Sequence, residues 1–482
     1  MINHSAFVGR PGACKIWRSD VLFAEEVHQA KKGCILYDRE HTAVVSHDEQ
    51  MNLVAHTPKI AQQEKGEGIL KGEHKKNIAV LDGVRACAII AVMAFHINLM
   101  ALNDLWDLPH HPFASALATF GGSGVTLFFV LSGFLLFLPY ARALLFQASW
   151  PSARQFYLKR AVRIIPAYYV ALFLIVLIFQ QKYLQPDRWK QLSLFLVFFM
   201  DSSRATFRQL NGPFWTLAIE WQFYMLLPLL ALGFLLIARR LPSLPGQRLF
   251  VMLGCCGLVI VWGLVLRLLG NSSLAQHQTS LIGRALLIFL YGVQGKYLEN
   301  FAIGMIICLC YTYAWHAENG VIIRQRFRRA TLLLGAGGVA LLLFTAIWHF
   351  NVLHMQLPIF AFMDILTPQF NWLNEMIIAV GYGSCMMAIL FGPVWVQSLF
   401  AWRPLCWIGF ISYGLYMWHL PLLDFFNHKI LPQIPAFSHV GLYLSYWLWL
   451  ILIVMPIAVA SYQLIEKPCI QFGSRLARRY AS

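Results

Sequence analysis

The sequence predicts an all-α polytopic membrane protein with about ten transmembrane helices and both termini in the cytoplasm. Of its 482 residues, 59% are hydrophobic and only 12% are charged. Soluble domains carry about 25% charged residues, so this chain has too little charge to cover a water-facing globule. A formal net charge of +16 would also suit a nucleic-acid-binding protein, but Lys and Arg lie mainly in short segments between apolar stretches. That placement indicates a lipid bilayer as partner and no nucleic acid.

About ten stretches are long enough to cross roughly 30 Å of hydrocarbon as helices. Membrane-spanning strands would instead give short segments of alternating polarity. The apolar stretches are centred near Ala94, Leu127, Phe173, Met225, Val259, Ile307, Ala340, Cys385, Tyr413 and Val454.

The basic residues predict the orientation of the helices. Lys and Arg are concentrated before the first helix, in the even-numbered loops and in the tail, whereas the first outer loop, residues 103–116, has neither. The positive-inside rule therefore places both termini in the cytoplasm. One outer segment disagrees, since it contains Lys182, Arg188, Lys190, Arg204 and Arg208. Within it, WKQLSLFLVFFM is interpreted as an interfacial or re-entrant helix.

Three regions differ in composition. Residues 1–76 form a polar extension that we expect to be cytoplasmic and partly disordered, residues 77–470 form the transmembrane domain, and residues 471–482 form a short basic cytoplasmic tail. The extension has no signal-peptide pattern, so the first spanning helix is expected to act as an uncleaved insertion signal in the cell (inner or plasma) membrane. None of the ten cysteines shows zinc-like spacing, and no metal site is predicted.

The first apolar stretch, LDGVRACAIIAVMAFHINLM, carries two ionisable residues. Arg85 and His96 are eleven residues apart, which on a helix is close to three turns and about 16 Å, so both side chains share one face. Arg85 alone is explained equally well by a side chain that reaches the headgroups. His96 lies deeper, where an ionisable group is costly and normally serves a function.

A carboxylate occurs in the fourth apolar stretch. Glu220 stands in NGPFWTLAIEWQFYMLLPLL, about two turns from the outer end and near the depth estimated for His96. A buried carboxylate is protonated or paired, and a histidine at equal depth is a suitable partner. His96 and Glu220 are therefore the candidate catalytic residues.

The second and third apolar stretches supply packing and charge. Gly121, Gly122 and Gly124 are expected to allow close helix approach, and Ser132 to form a hydrogen bond between helices. In FYLKRAVRIIPAYY, Arg160 and Arg163 lie one turn apart. They fit ordinary positive-inside charge, but their guanidinium groups would equally suit phosphates.

The ninth stretch, ISYGLYMWHLPLL, carries Tyr413, Tyr416 and His419. Tyr416 and His419 are estimated to lie close to the outer interface, where aromatic belts are common. A structural role and a substrate-binding role are equally compatible with this position.

Several of these stretches, taken in order, resemble the acyltransferase 3 family of membrane O-acyltransferases. The resemblance covers about Leu81 to Pro468 and rests on the arginine and histidine of LDGVRACAIIAVMAFH, then FFVLSGFLL, RAVR, FWTLAIEWQFY, ISYGLYMWH and the closing LIEKP. It differs from the usual motif only in having Met417 where Leu is typical. Some members carry a carboxy-terminal hydrolase-like domain, and since this chain ends at Ser482 we expect the membrane domain to act alone.

The resemblance implies about ten helices and transfer of an acyl group, often acetyl, from acyl-CoA to a hydroxyl of a carbohydrate or small-molecule acceptor. Arg85, Arg160 and Arg163 would then bind the phosphates of coenzyme A. His96 would act as general base and Glu220 would orient it. Tyr413, Tyr416 and His419 would bind the acceptor. Direct transfer and a covalent acyl-histidine intermediate both fit these residues.

Two other classes of protein compete with the enzyme hypothesis. A transporter or flippase could use a buried His and Glu to relay protons, although the sequence shows no internal repeat or matched broken helices. A membrane sensor or scaffold could use the amino-terminal extension to bind a partner, but this hypothesis leaves the buried ionisable residues unexplained.

Overall fold

The computed structural model describes residues 80–101, 112–240, 244–272, 280–353, 358–434 and 438–479. Throughout these ranges the chain forms α-, 3₁₀- and π-helices and no strand, which confirms the predicted all-α class. The extension of residues 1–76 lies outside the described residues. The basic tail is helical as far as Arg479.

In the part of the chain that the structure describes, ten main helices form the bundle. In chain order they are α1, Val80–Met100; α2, Pro112–Phe120 and Gly124–Phe146; α3, Ala153–Ile178; α4, Phe214–Ala238; α5, Pro245–Gly270; α6, Leu298–His316; α7, Thr331–Leu353; α8, Phe370–Phe391; α9, Ser412–Phe425; and α10, His439–Trp449 through Lys467–Arg479. Within the described ranges, nine of them are long and apolar enough to cross a membrane. The exception is α9, which is shorter and has most of its side chains buried inside the bundle.

Two ends of the bundle are distinguished below. The inner end is the one at which α1 and α3 begin, and the outer end is the one at which they finish. The prediction that the inner end faces the cytoplasm stays a prediction, because no membrane is part of the structure.

The burial of the helices separates a centre from a periphery. In α2, 72% of the most apolar 18-residue stretch is buried inside the protein, whereas in α5 and α10 only 22% of the corresponding stretch is buried. Helix α2 packs extensively on α6, and α7 packs on α8. Helices α5 and α10 therefore present most of their apolar surface to lipid, and α2 forms the core.

Close packing between α1 and α2 depends on glycine. A Cβ atom on Gly121 would lie 2.5 Å from the carbonyl oxygen of Ala91, and one on Gly124 would lie 2.5 Å from that of Ala88. Both distances are below van der Waals contact, so only glycine permits this approach of the two backbones. The predicted packing role of these glycines is confirmed, and the contact fixes the position of α1 against the core.

The outer segment between α3 and α4 contains a short separate helix, Trp189–Leu196. Its eight residues span about 12 Å, which is too short to cross a bilayer. The hydroxyl groups of Tyr168 and Tyr169 on α3 donate to the carbonyl oxygens of Phe195 and Leu196 at 2.8 and 2.7 Å. These bonds hold the segment against α3, as expected for a helix that does not span the membrane.

Candidate active site

Helix α1 is continuous from Val80 to Met100, so Arg85 and His96 keep the predicted spacing of three turns along one helix. At the inner end, Nη1 of Arg85 donates to Oδ1 of Asp82 at 2.7 Å. Arg85 therefore has an acidic partner one turn away on its own helix, which the sequence analysis did not consider. His96 lies near the outer end of the same helix.

The imidazole of His96 is oriented by the backbone. Its Nδ1 lies 2.9 Å from the carbonyl oxygen of Val92. Because a carbonyl oxygen only accepts hydrogen bonds, Nδ1 must carry the hydrogen, and Nε2 keeps its lone pair. This is the tautomer that a general base needs.

A second imidazole lies against the first. The ring centroids of His96 and His419 are 5.0 Å apart, in an edge-to-face arrangement. His419 has the same tautomer, since its Nδ1 lies 3.0 Å from the carbonyl oxygen of Leu415. Its side chain is 0% exposed, and its Nε2 has no hydrogen-bond partner among the described residues. His419 is therefore a fully buried residue of the site rather than part of an aromatic belt.

The carboxylate of Glu220 is held by two hydroxyl groups. Ser132 on α2 and Tyr224 on α4 both donate to its Oε1, each at 2.6 Å. The bond from Ser132 confirms the expected hydrogen bond between helices. The charge of Glu220 acts on Arg85 and Arg160, and also on Tyr416.

The expected pairing of Glu220 with His96 is not the arrangement that the structure shows. The position at Nδ1 of His96 that an orienting carboxylate would occupy is taken by the carbonyl of Val92. His96 lies within electrostatic range of Arg208, in the segment that precedes α4. A catalytic role for Glu220 stays a prediction.

The structure brings the three predicted basic residues together. The charges of Arg85, Arg160 and Arg163 act on one another, and the charge of Glu220 acts on the first two. Arg160 and Arg163 line a cleft between α3 and α10. The Nε of Arg160 is buried and has no hydrogen-bond partner in the part of the chain that the structure describes. The cluster therefore retains a donor that a ligand with acceptor oxygens would satisfy.

The two tyrosines of α9 lie at different levels. The hydroxyl of Tyr416 shares a hydrogen bond of 2.6 Å with Thr216, and its ring centroid is 5.9 Å from that of His419. The hydroxyl of Tyr413 donates to the carbonyl oxygen of Ile164 on α3 at 3.1 Å. Tyr416 thus borders the histidine pair, whereas Tyr413 bonds to α3, and its predicted role in acceptor binding stays a prediction.

The membrane domain matches a known protein family. Residues 78–463 match the family model described as an acyltransferase domain, Acyl_transf_3. The chain belongs to the acyltransferase 3 family. The match covers nearly all of α1 to α10, so both histidines and the whole basic cluster lie inside the family domain. No solved structure matches the chain.

Several curated proteins show moderate similarity to this chain. It is 27% identical over 369 residues to the peptidoglycan O-acetyltransferase OatA of Listeria monocytogenes, which covers 72% of this chain and 50% of the relative. It is 25% identical over 423 residues to the putative peptidoglycan O-acetyltransferase YrhL of Bacillus subtilis, with 84% and 57% covered. Identity to the O-acetyltransferase OatA of Staphylococcus aureus is 26% over 415 residues, with 80% and 56% covered. The chain thus spans about half the length of these relatives.

In this acyltransferase 3 domain, Arg208 acts on the histidine site, although it was not among the site residues predicted from the sequence. Arg208 has a left-handed backbone conformation, with φ 58°, which is uncommon for a residue other than glycine. Its guanidinium carbon lies 5.1 Å from the ring centroid of Phe207 and 5.4 Å from that of Trp215. Its charge acts on both His96 and Tyr416. The signal was present, because Arg208 is one of the outer basic residues that disagree with the positive-inside rule.

Two ion pairs hold the outer segments beside Arg208. Arg267 pairs with Glu299, and Lys296 pairs with Asp201. Between them, Tyr297 is 5% exposed, and burial raises its pKa above the ordinary value for tyrosine. A hydroxyl with a raised pKa stays neutral, so Tyr297 adds no charge between the two ion pairs.

Proposed function

We propose that this protein is a membrane O-acyltransferase that moves an acyl group, acetyl in the first instance, from acyl-CoA to a hydroxyl of a cell-surface carbohydrate. Family membership supports acyl transfer, and the names of the relatives favour O-acetylation of peptidoglycan. The observation that carries the proposal is the pair of facing imidazoles, His96 and His419, each with Nδ1 tied to its own helix. This arrangement leaves two basic nitrogens together inside the family domain.

The inner basic cluster fits the phosphates of an acyl-CoA donor. Guanidinium groups bind phosphate oxygens through charge-assisted, frequently bidentate hydrogen bonds. Arg160 and Arg163 line the cleft, and Arg160 keeps a buried donor without a partner among the described residues. Arg85 is already bonded to Asp82, so we assign the main phosphate contacts to Arg160 and Arg163 and a supporting charge to Arg85.

The spacing along α1 connects the donor site with the histidines. Arg85 and His96 are separated by about 16 Å along the helix axis. That length is comparable with an extended pantetheine arm, so a donor held by its phosphates at the inner end would bring its thioester to the histidine pair.

The reaction is acyl transfer by general-base catalysis. Nε2 of His96 accepts the proton of the acceptor hydroxyl while that oxygen attacks the thioester carbonyl carbon. The tetrahedral intermediate then collapses, the carbon–sulfur bond breaks, and the sulfur leaves with the proton that His96 returns. Positioned general-base catalysis contributes on the order of 10²–10⁴ in rate.

The other residues position the reactants. Nε2 of His419, buried without a partner in the described structure, is placed to accept a hydrogen bond from the acceptor. Tyr416 borders the same space through its ring contact with His419. Glu220 does not bond to His96, and its charge instead offsets those of Arg85 and Arg160. We therefore assign Glu220 to the stability of the basic cluster.

The proposal is tested with purified protein in detergent or nanodiscs. Acetyl-CoA and soluble peptidoglycan fragments are supplied, free thiol is measured over time, and mass spectrometry identifies the acetylated product. We expect thiol release that depends on the acceptor and is lost in His96→Ala. His428→Ala is the matched control, because that imidazole is exposed on the surface. If folded protein releases no thiol while vesicles that contain it move solute, the transporter hypothesis replaces this one.

A further inference from the structure

A buried carboxylate lies close to the cleft between α3 and α10. The lining of the cleft consists of Lys159, Arg160, Val162, Arg163, Ile470 and Ser474. Glu466 precedes Ile470 by four residues on α10, and Ser474 follows Ile470 by four, so the three side chains share one face of that helix. Glu466 thus lies one turn deeper than the lining residues of α10.

Glu466 is poorly satisfied by the protein. Its side chain is 4% exposed, and its Oε1 is buried without a hydrogen-bond partner among the described residues. That oxygen lies 3.3 Å from the position that a Cβ atom on Gly414 would occupy, so it points into the junction of α10 with α9. The positive charge of Arg163 acts on it. A buried carboxylate oxygen without a donor is costly, and such groups usually mark a functional site.

The local backbone is also unusual at this point. Residues Tyr462–Glu466 form a π-helical turn within α10. Single π-helical turns inside α-helices occur frequently at functional sites, because they shift the register of the side chains that follow. Here the turn ends at Glu466 and sets the face on which Ile470 and Ser474 meet α3.

A complementary pair of unsatisfied atoms therefore lies in and beside the cleft. Arg160 Nε is a buried donor and Glu466 Oε1 is a buried acceptor, and both residues lie within electrostatic range of Arg163. Phosphate oxygens would satisfy the arginine only, since they accept hydrogen bonds and have none to donate at neutral pH. Glu466 requires a ligand that also carries an N–H or O–H group.

We propose that the cleft between α3 and α10 is the route by which the acyl donor enters, and that Glu466 accepts a hydrogen bond from an N–H group of that donor. The inference rests on the proposed function, because an acyl-CoA carries phosphates together with N–H groups. Those N–H groups belong either to the pantetheine amides or to the amino group of the nucleotide base. Glu466 is in this view a donor-binding residue that remains distant from the reacting atoms.

Two variants of Glu466 separate this role from a simple counter-charge for Arg163. Glu466→Gln removes the charge but keeps a carbonyl oxygen as acceptor, whereas Glu466→Met removes both at similar volume. Since a hydrogen bond to a charged group is strong, we expect Met to raise the KM for acetyl-CoA about 10- to 100-fold with kcat little changed. Glu466→Gln should raise the KM for acetyl-CoA by clearly less, because it keeps the acceptor oxygen. Equal increases in the two variants, or no increase in either, would overturn the proposal.

A control accounts for the loss of a buried carboxylate as such. Glu375 on α8 is half-buried and accepts a hydrogen bond from Thr126 at 2.8 Å, among the outer charged residues and away from the cleft. Glu375→Met should leave the KM for acetyl-CoA unchanged. Thermal unfolding in detergent shows whether each variant is folded. If Glu466→Met does not fold, binding is measured for Glu466→Gln and the wild type instead. The two ligands are coenzyme A and inorganic pyrophosphate, which represents the phosphates of coenzyme A alone. A Gln variant that loses affinity for both equally overturns the proposal.

The source of the N–H group is identified with a truncated donor. S-acetyl-4′-phosphopantetheine retains both amides and lacks the nucleotide. If Glu466→Met raises the KM for this truncated donor as well, a pantetheine amide is the group that bonds to Glu466. If the KM rises only for acetyl-CoA, the amino group of the nucleotide base is that group. Failure of the proposed function looks different, because the wild type itself would then release no thiol from either donor.

Discussion

At the scale of single residues, the backbone takes the role that a carboxylate has in a catalytic triad. The carbonyl oxygens of Val92 and Leu415 fix the tautomers of His96 and His419 from one turn earlier on the same helices. An orienting acid is therefore unnecessary at either ring. Both basic nitrogens are left for substrate, which accounts for an orphan Nε2 on a residue that is 0% exposed.

The first prediction concerns His96. Replacement by Ala removes the general base, so kcat for acetyl transfer should fall by about 10² to 10⁴ while the dissociation constant for acetyl-CoA stays within about twofold. Steady-state kinetics and equilibrium binding measure the two quantities. A large loss of donor binding in a folded variant would show that His96 belongs to the donor site instead.

The second prediction concerns Arg208. Arg208 lies at the outer end within electrostatic range of His96, stacked near Phe207 and Trp215, so it is placed to contact the acceptor. Arg208→Ala should raise the KM for the carbohydrate about tenfold, the value of one charge-assisted hydrogen bond, and leave the KM for acetyl-CoA unchanged.

A matched control for Arg208 is Arg188, an exposed basic residue of the same outer segment that forms an ion pair with Asp187. Arg188→Ala should change neither Michaelis constant. If Arg208→Ala and Arg188→Ala raise the KM for the carbohydrate equally, Arg208 contributes only to the general surface charge.

The sequence predicted which residues lie close together better than it predicted their hydrogen-bond partners, and their roles stay predictions. Arg85, Arg160 and Arg163 do cluster, and His96 lies beside His419. The depth of Glu220 could not be predicted, because counting turns from a helix end assumes that all helices finish at one level. Asp82 was not among the predicted site residues, although it bonds to Arg85 from one turn earlier on α1.

At the scale of helices, the contact between α1 and α2 sets the position of the catalytic face. Gly121 and Gly124 let α2 approach the carbonyl oxygens of Ala91 and Ala88, in the middle of the interval between Arg85 and His96. Glycine spacing in an apolar stretch is a sequence signal for this contact, and the packing was predicted. The face of α1 that remains free for the site depends on how α4, α9 and α10 pack together. No single stretch of sequence predicts this joint packing.

The third prediction tests this contact. In Gly124→Val the new side chain would overlap the Ala88 carbonyl and Val92, which should cost about 1–3 kcal/mol through overpacking and lower the unfolding temperature. Gly233→Val is the control, because a Cβ atom at Gly233 meets nothing within 4 Å. Thermal unfolding of both variants in detergent gives the comparison. A drop of equal size in both would indicate a loss of glycine flexibility rather than a clash.

At the scale of the whole molecule, polar residues form a series through the bundle. It begins with Arg163 and Glu466 at the inner cleft, continues through Glu220 and Tyr416, and reaches the histidine pair near Arg208 at the outer end. Such a series inside a membrane protein marks a path for substrates or ions. For an acyltransferase it allows the two substrates to arrive from opposite sides.

The fourth prediction is that the two substrates are used from opposite faces of the membrane. In the orientation that the positive-inside rule predicts, the inner cleft would face the cytoplasm and the histidine pair would lie near the surface at which a carbohydrate would arrive. In inside-out vesicles, acetyl-CoA added outside should release thiol only when the acceptor has been enclosed within.

In right-side-out vesicles the same additions should give no release, because the donor then meets the outer end. Opening these vesicles with detergent should restore activity, which shows that the enzyme was present and folded. Arg163→Ala should abolish most of the release in inside-out vesicles at low donor concentration, since it removes a phosphate contact. Release of thiol from donor supplied on either side of sealed vesicles would mean that the donor does not pass through the cleft between α3 and α10, and the series of polar residues would then serve the acceptor alone.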